Sequence, residues 1–288
     1  MSRVGDSDDP GVLVSTGWLA EHLHDPDLRI LDATWFLEPG RNAHAEYLAA
    51  HIPGARFFDL DAISDQQSAL PHMAPSSEVF VSRVRALGIG DGQQVVIYDN
   101  SPLHSAARVW WTFRLMGLDK VAMLDGGLQK WQAEGRPVET APPVIRDRHL
   151  NVQRRADLVR DVTQVAAASK LGDHEIVDAR PLPRFRGEVP EPRPGLRAGH
   201  IPGSKSLPFG QLYAADGTLK PVADLRAAFE AAGVDLSRPV ITTCGSGVTA
   251  ASLFLALERI GHKDHSLYDG SWAEWGSFPD LKIATGDA

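Results

Sequence analysis

The sequence is poor in cysteine, since Cys244 is the only one in 288 residues. A single thiol excludes an internal disulfide and any zinc site built from several cysteines, and we predict no metal site. The lone cysteine fits a reducing compartment, and residues 1–11 contain no recognisable secretory signal. We therefore expect a cytoplasmic protein.

Positive charge and long apolar runs are also scarce. The chain has 29 Lys and Arg against 37 Asp and Glu, which gives a formal net charge of −8. Because nucleic-acid-binding surfaces are normally basic, we expect no nucleic-acid partner. The longest apolar helix candidate, residues 249–257, is too short to span a bilayer, so we expect no membrane partner.

What the sequence does contain is an internal repeat. Ile30-Leu-Asp-Ala recurs as Ile176-Val-Asp-Ala, and His51-Ile-Pro-Gly recurs unchanged as His200-Ile-Pro-Gly. Further similar segments follow in the same order, at offsets of 144 to 149 residues. A repeat of this length indicates two copies of one domain rather than a solenoid. Because both copies carry the histidine, we expect it to have a packing role.

Each half alternates short β-branched runs with helical patterns, which predicts an α/β fold with a parallel sheet and helices on both faces. We place the two domains at residues 10–140 and 158–288, joined by a linker at 141–157. The predicted strands are 29–32, 95–98, 121–124, 175–178, 240–243 and 266–268. The predicted helices are 16–23, 77–87, 105–116, 161–168, 223–232 and 248–260. Four of these helices are expected to stop at a glycine: Gly88, Gly117, Gly233 and Gly261.

The lone cysteine lies where a predicted strand meets a glycine-rich turn. Strand 240–243 leads into Cys244, and the turn Gly245-Ser-Gly-Val-Thr249 leads into the next helix. Ligands of open α/β sheets bind outside the carboxyl ends of the strands, so Cys244 is at the functional edge. Inward-pointing backbone N–H groups and a helix N-terminus both favour a thiolate. We predict that Cys244 is a nucleophile; the alternative is a small buried hydrophobic residue.

Two other interpretations of the same turn are weaker. The run Gly245-x-Gly-x-x-Ala250 satisfies a dinucleotide-binding pattern, but only 38 residues follow it, too few for a dinucleotide site. A cysteine phosphatase needs an arginine in the loop to bind phosphate oxygens. The first basic residue after Cys244 is Arg259, which makes phosphate hydrolysis a poor fit.

Both halves resemble rhodanese domains, and residues 14–278 as a whole resemble the tandem-domain sulfurtransferases. The resemblance rests on the paired His-Ile-Pro-Gly segments, on Leu124-Asp-Gly-Gly and on the loop after Cys244. That loop is similar to the loop of the 3-mercaptopyruvate sulfurtransferases, whereas thiosulfate sulfurtransferases usually carry basic residues just after the cysteine. The resemblance implies an inactive first copy. Here Asp99 matches Cys244, in a loop that is one residue longer and lacks the glycines.

The resemblance further implies that Arg184 and Arg193 bind the substrate. Guanidinium groups bind carboxylates through two parallel hydrogen bonds, and a 2-oxo acid presents a carboxylate. Thiosulfate enzymes generally lack the second arginine, so Arg193 favours 3-mercaptopyruvate. The alternative is a solvated basic loop that pairs with Glu188 and Glu191, which we favour for Arg180, Arg186 and Arg197. The loop residues expected to contact substrate are Gly245, Gly247, Val248 and Thr249.

The mercaptopyruvate members of the family are also proposed to use a serine-protease-like set, which Ser246, His72 and Asp61 match. A serine hydroxyl hydrogen-bonded to a neutral imidazole can pass on the proton of a thiol or an enol. The alternative is that Ser246 only donates a hydrogen bond within the loop and that Asp61 caps a turn.

The resemblance therefore implies a sulfurtransferase that takes sulfur from the small donor 3-mercaptopyruvate through a persulfide on Cys244. Pyruvate would be released, and the sulfur would pass to cyanide or to a thiol such as that of thioredoxin, without a cofactor. With no second cysteine, another molecule must resolve the persulfide. Two alternatives stay open: a thiosulfate sulfurtransferase, and a non-catalytic persulfide carrier or partner-binding module.

Overall fold

The computed structural model describes residues 8–287, so most of the segment 1–11 lies outside the described part of the chain. The chain forms two compact units. The first contains the residues up to Gln67 together with Ala74–Arg155 and Ala214–Leu219; the second contains Ser68–Met73, Ala156–Tyr213 and the residues from Lys220 onward. Within the described residues, no helix has both the length and the apolar character needed to cross a membrane.

The first unit is built on a five-stranded parallel sheet in the order β1-β5-β4-β2-β3. Its strands are β1 (Leu13–Val14), β2 (Leu28–Asp32), β3 (Ala55–Phe57), β4 (Gln94–Tyr98) and β5 (Val121–Leu124). Its helices are α1 (Thr16–His22), α2 (Ala43–Ala49), α3 (Leu60–Ile63), α4 (Ser77–Ala86), α5 (Ala106–Leu115) and α6 (Gly127–Ala133). The segment predicted as a linker belongs to this unit up to Arg155, whose backbone N–H donates to the carbonyl of Leu115.

The second unit repeats this arrangement, with the parallel strand order β6-β10-β9-β7-β8. Its strands are β6 (Val159–Arg160), β7 (Glu175–Asp178), β8 (Lys205–Ser206), β9 (Val240–Thr243) and β10 (His265–Tyr268). Its helices are α7 (Val162–Leu171), α8 (Leu182–Arg186), α9 (Val222–Ala231), α10 (Ala250–Arg259) and α11 (Ser271–Trp275). The predicted α/β fold with two tandem parallel sheets is confirmed.

The longer elements follow the sequence closely because their physical signals are local. All six predicted strands form, and the four glycines expected to stop helices have φ between +75° and +84°, the left-handed region. The predicted helix 248–260 begins two residues late, at Ala250, because Val248 and Thr249 still belong to the turn. The elements that were not predicted are two- and three-residue strands and short helices, which are too short to show a period.

The repeated histidines have the packing role expected of them. His51 Nδ1 lies 2.7 Å from the carbonyl oxygen of Tyr47 and its ring stacks on that tyrosine. His200 Nδ1 lies 2.8 Å from the carbonyl oxygen of Phe185 and its ring stacks on that phenylalanine. Both histidines are fully buried, in the copy with the cysteine and in the copy without it.

Candidate active site

Cys244 follows directly on β9, a strand whose four residues are buried. In the sheet β9 lies between β7 and β10, and Thr243 is paired with Asp178 at the carboxyl end of β7. The Cys244 N–H donates to Ser271 Oγ at 3.3 Å, and its carbonyl accepts from the Trp272 N–H at 2.9 Å. The cysteine is therefore held at the carboxyl edge of the sheet, where the sequence predicted it. It is 2 % exposed.

The two glycines of the loop after the cysteine meet different constraints. Gly247 has a φ of +77°, which a residue with a side chain adopts only at a cost. At Gly245 the reason is space, because a Cβ atom there would be 3.0 Å from Nη2 of Arg184. The guanidinium of Arg184 thus lies directly against the loop that follows Cys244.

Arg184 comes from the short helix α8, which follows Pro181. Its Nη2 and Nε atoms donate to the two carboxylate oxygens of Glu191, at 2.5 Å and 3.3 Å. The Arg184 side chain keeps 19 % of its surface exposed, whereas the Glu191 side chain keeps 1 %. The acid thus orients the guanidinium while leaving part of it open to a ligand.

Arg180 is part of the same arrangement: it pairs with Glu191, as the alternative of a basic loop expected, but it is buried rather than solvated. Its side chain is 1 % exposed and binds the carboxylates of Asp178 and Glu191. Its guanidinium also lies 4.4 Å from the ring of Trp272, a cation–π contact. Asp178 was not predicted as a partner of Arg180, although an acid two residues before the arginine was an available signal; Glu191 was expected only as a partner in a solvated loop.

The other three arginines of this segment have different environments. Arg193 Nη2 lies 3.5 Å from Ser246 Oγ, so this guanidinium reaches the loop itself. Arg186 pairs with Glu188 and Asp287, as the alternative of surface pairing expected. Arg197 instead donates to backbone carbonyls, including that of Leu281 at 2.9 Å, and stabilises the chain after α11.

Two of the three residues proposed as a proton relay lie together in the second unit. His72 Nδ1 is 3.0 Å from Ser246 Oγ, and both side chains are buried. The backbone of His72 has a φ of +60°, an unusual conformation for a residue with a side chain. Asp61 belongs to the first unit, where its carboxylate accepts from Trp35 Nε1 at 2.9 Å. It does not cap the turn, because the N-cap of α3 is Asp59.

The first unit has a carboxylate where the second has the thiol. Asp99 accepts from the backbone N–H groups of Ser101 and Ala106, at 3.0 Å and 2.7 Å. Burial raises its pKa to about 6, although these two hydrogen bonds oppose the rise. A cavity of about 230 Å³ opens beside the Asp99 loop, and its described lining contains no lysine or arginine. Among the described residues that line this cavity there is neither a cysteine nor a lysine or arginine that could attract an acidic substrate.

Comparison with known proteins places this geometry in a family. The rhodanese-like domain matches residues 15–134 and again residues 161–277. The chain is 44% identical to the 3-mercaptopyruvate sulfurtransferase of Escherichia coli K12, over 94% of this chain and 96% of that protein. It is 42% identical to the thiosulfate sulfurtransferase of Bos taurus, over 91% of each.

A solved structure leads to the same family. The crystal structure of SseA from Escherichia coli, a 3-mercaptopyruvate sulfotransferase, superimposes with a TM-score of 0.83 at 42% identity. The match covers 90% of this chain and 98% of that one.

Proposed function

This chain belongs to the rhodanese-like domain family, as a tandem-domain sulfurtransferase, and from that premise we propose which reaction it catalyses and which residues carry it out. The donor is 3-mercaptopyruvate, and the sulfur is carried as a persulfide on Cys244. One observation carries the proposal: Cys244 directly follows β9 at the carboxyl edge of the sheet, beside a glycine loop that two arginines, Arg184 and Arg193, approach.

The first step forms an S–S bond and breaks a C–S bond. The thiolate of Cys244 attacks the sulfur of 3-mercaptopyruvate, and the electrons of the C–S bond leave with the carbon as the enolate of pyruvate. The proton of the substrate thiol is then transferred to the enolate carbon, which yields pyruvate and the Cys244 persulfide anion. No bound cofactor enters this balance.

The arginines would hold the substrate through its carboxylate. Hydrogen bonds from a charged donor to a carboxylate are about twice as strong as neutral ones, and a guanidinium fixes the orientation as well. The glycine loop, with Gly245, Gly247, Val248 and Thr249, would place backbone N–H groups around the developing sulfur anion. Arg184 and Arg193 are the groups in this loop region whose charge matches an acidic donor.

Proton transfer is assigned to Ser246 and His72. Their separation of 3.0 Å allows a hydroxyl proton to pass to a neutral imidazole and return, which is what the movement from thiol to enolate requires. Asp61 would complete the set by orienting the histidine, as in the serine-protease arrangement. The relay through Asp61 is the part of this assignment that depends on the family resemblance alone.

The second step returns the enzyme to its starting state. A thiolate acceptor attacks the outer sulfur of the persulfide, takes it as a new persulfide and releases the thiolate of Cys244. With cyanide as the acceptor, the product would be thiocyanate. A small redox protein such as thioredoxin has the required thiol, and we propose this class of acceptor because the chain has no second cysteine. A cytoplasmic location, expected from the single cysteine, is part of the same proposal.

Thiosulfate remains the second candidate donor, because the relative from Bos taurus is named for it and is nearly as similar. The neutral loop Gly245-Ser-Gly-Val-Thr249 and the position of Arg193 favour the 2-oxo acid. Thiosulfate carries two negative charges, and the loop Gly245-Ser-Gly-Val-Thr249 has no basic residue to balance the second one.

The deciding experiment mixes the purified protein with 3-mercaptopyruvate, without an acceptor. We expect one equivalent of pyruvate per chain, and an intact mass increased by one sulfur atom in the wild type but not in Cys244→Ser. Repeating the incubation with thiosulfate and measuring sulfite compares the two donors. A wild type that yields no pyruvate and gains no sulfur from either donor would favour the non-catalytic carrier and refute this proposal.

A further inference from the structure

Four charged side chains form one connected cluster in the second unit. We call it the charge cluster: Asp178, Arg180, Arg184 and Glu191. Glu191 is its centre, because its Oε1 atom accepts from Arg180 at 2.9 Å while the same carboxylate binds Arg184. Asp178, Arg180 and Glu191 have side chains that are 1 % exposed. Ion pairs this deeply buried are costly to assemble, so their presence needs a reason.

The first unit indicates that the fold itself does not require the cluster. Asp32 matches Asp178 and accepts from the backbone N–H of the residue two positions on, at 2.9 Å in both units. That residue is Thr34 in the first unit and Arg180 in the second. The same strand end therefore folds without a guanidinium in the copy that lacks the cysteine. The cluster accompanies the cysteine rather than the fold.

The charges of the cluster cancel. Two carboxylates and two guanidinium groups give a formal net charge of zero, so Arg184 lies beside the Cys244 loop with its charge compensated. Glu191 also binds two nitrogens of Arg184, Nε and Nη2, which fixes the plane of the guanidinium. One acid thus controls both the direction and the effective charge of a group proposed to hold the substrate.

We propose that Glu191 is a positioning residue, which aims Arg184 at the substrate carboxylate and restrains how tightly that carboxylate is bound. This inference rests on the proposed function, since it assigns Arg184 to the substrate. With its charge compensated, Arg184 holds the carboxylate loosely enough for pyruvate to leave. With its plane fixed, it holds the substrate in the geometry from which the C–S bond breaks.

Glu191→Gln tests this, because it removes the charge and leaves the shape. The net charge beside the loop rises by one, so we expect the KM for 3-mercaptopyruvate to fall about fivefold. We expect kcat to fall about tenfold, because Arg184 is no longer aimed and pyruvate leaves more slowly. In a Cys244→Ser background, pyruvate binding measured by calorimetry should tighten by about the same fivefold as KM. Glu191→Asp keeps the charge but shortens the reach, so kcat should fall without a gain in affinity.

Glu175→Gln is the matched control. Glu175 is a buried acid of the same unit that pairs with two cations, Lys205 and Arg238, at the opposite end of β7. A purely structural role for Glu191 predicts that both Gln variants lose the same fraction of active protein with KM unchanged. That result would overturn the inference, and so would unchanged pyruvate affinity in Glu191→Gln.

Loss of a buried charge can prevent folding, so a second test removes one base and one acid of the cluster together. Arg184→Gln and Arg184→Gln/Glu191→Gln differ only in the acid, and the double variant keeps the cluster neutral. If Glu191 acts through Arg184, removing the acid should change pyruvate binding much less in this pair than the fivefold expected where Arg184 is present; the same fivefold change in both backgrounds would overturn the inference. The binding measurements do not depend on turnover. A wild type that binds pyruvate but forms none from 3-mercaptopyruvate would therefore refute the proposed function and leave the inference about Glu191 standing.

Discussion

Replacing Arg193 by lysine separates the shape of the guanidinium from its charge. Arg193 reaches the catalytic loop, with Nη2 at 3.5 Å from Ser246 Oγ, and its charge is proposed to meet the substrate carboxylate. Lysine keeps the positive charge but loses the planar fork that forms two parallel hydrogen bonds with a carboxylate. A donor with a carboxylate should therefore suffer much more than thiosulfate, which has none.

The size of the effect follows from one lost hydrogen bond. A hydrogen bond to a charged group contributes about 1.5–3 kcal/mol, which corresponds to about 10- to 150-fold in kcat/KM for 3-mercaptopyruvate. For thiosulfate the retained charge should limit the loss to about threefold, since a mobile ammonium group still attracts the anion. The quantity to compare is therefore the ratio of the two kcat/KM values.

The assay measures pyruvate from 3-mercaptopyruvate and sulfite from thiosulfate, each with cyanide as acceptor. Arg186→Lys serves as the control, because Arg186 is on the same segment and pairs with the acidic residues Glu188 and Asp287. Both kcat/KM values should stay within about twofold of wild type in that control. Equal losses for both donors in Arg193→Lys would refute the assignment of Arg193 to the carboxylate.

Three further predictions concern the relay, the loop and the inactive copy. His72→Gln should lower kcat for 3-mercaptopyruvate by about 100-fold but leave sulfite release from thiosulfate nearly intact, since that step protonates no carbon; equal losses would remove the relay role from His72 and Ser246. Gly245→Ala should lower kcat/KM about tenfold by displacing the Arg184 guanidinium, with little change in melting temperature, and full activity would show that this contact is not needed. Asp99→Asn should gain stability relative to the wild type as the pH rises from about 4 to about 6. Burial raises the folded-state pKa of Asp99 to about 6, so the free energy of unfolding of the wild type falls by up to about 3 kcal/mol over that range, whereas an asparagine does not ionise. Urea unfolding at several pH values tests the last prediction, and a pH-independent difference contradicts it.

The parts of the fold that could be predicted are those with local causes. The strand before Cys244 is a run of β-branched residues, the glycines at positions 245 and 247 mark the turn, and the helix stops before Gly261. The repeat added independent support, because each element appeared twice. The short helix α8 was not predicted, although it carries Arg184, because five residues are too few to show a helical period.

The partners of charged residues could not be predicted in the same way. For Arg180 the sequence indicates a solvated loop that pairs with Glu191; the pairing is present, but the side chain is buried and Asp178 is a second partner. The bond between His72 and Ser246 joins residues 174 positions apart, and only the family resemblance brought the two together. Pairing between distant loops depends on how strands are ordered in the sheet, and no local pattern of residue types records that order.

The two copies of the domain differ, at the end of one matching strand, in the residue and the loop that decide whether a nucleophile is present. In the first copy, the carboxylate of Asp99 binds the loop N–H groups of Ser101 and Ala106, so the protein's own side chain occupies the position that would otherwise attract an anion. In the second copy the matching residue is a cysteine, and the loop is shortened by one residue and rich in glycine. A carboxylate that accepts hydrogen bonds from its own loop has no sulfur atom with which to form a persulfide. A thiolate at the same strand end can bind a second sulfur atom, and the neighbouring Arg184 is the guanidinium proposed to donate hydrogen bonds to the carboxylate of the donor.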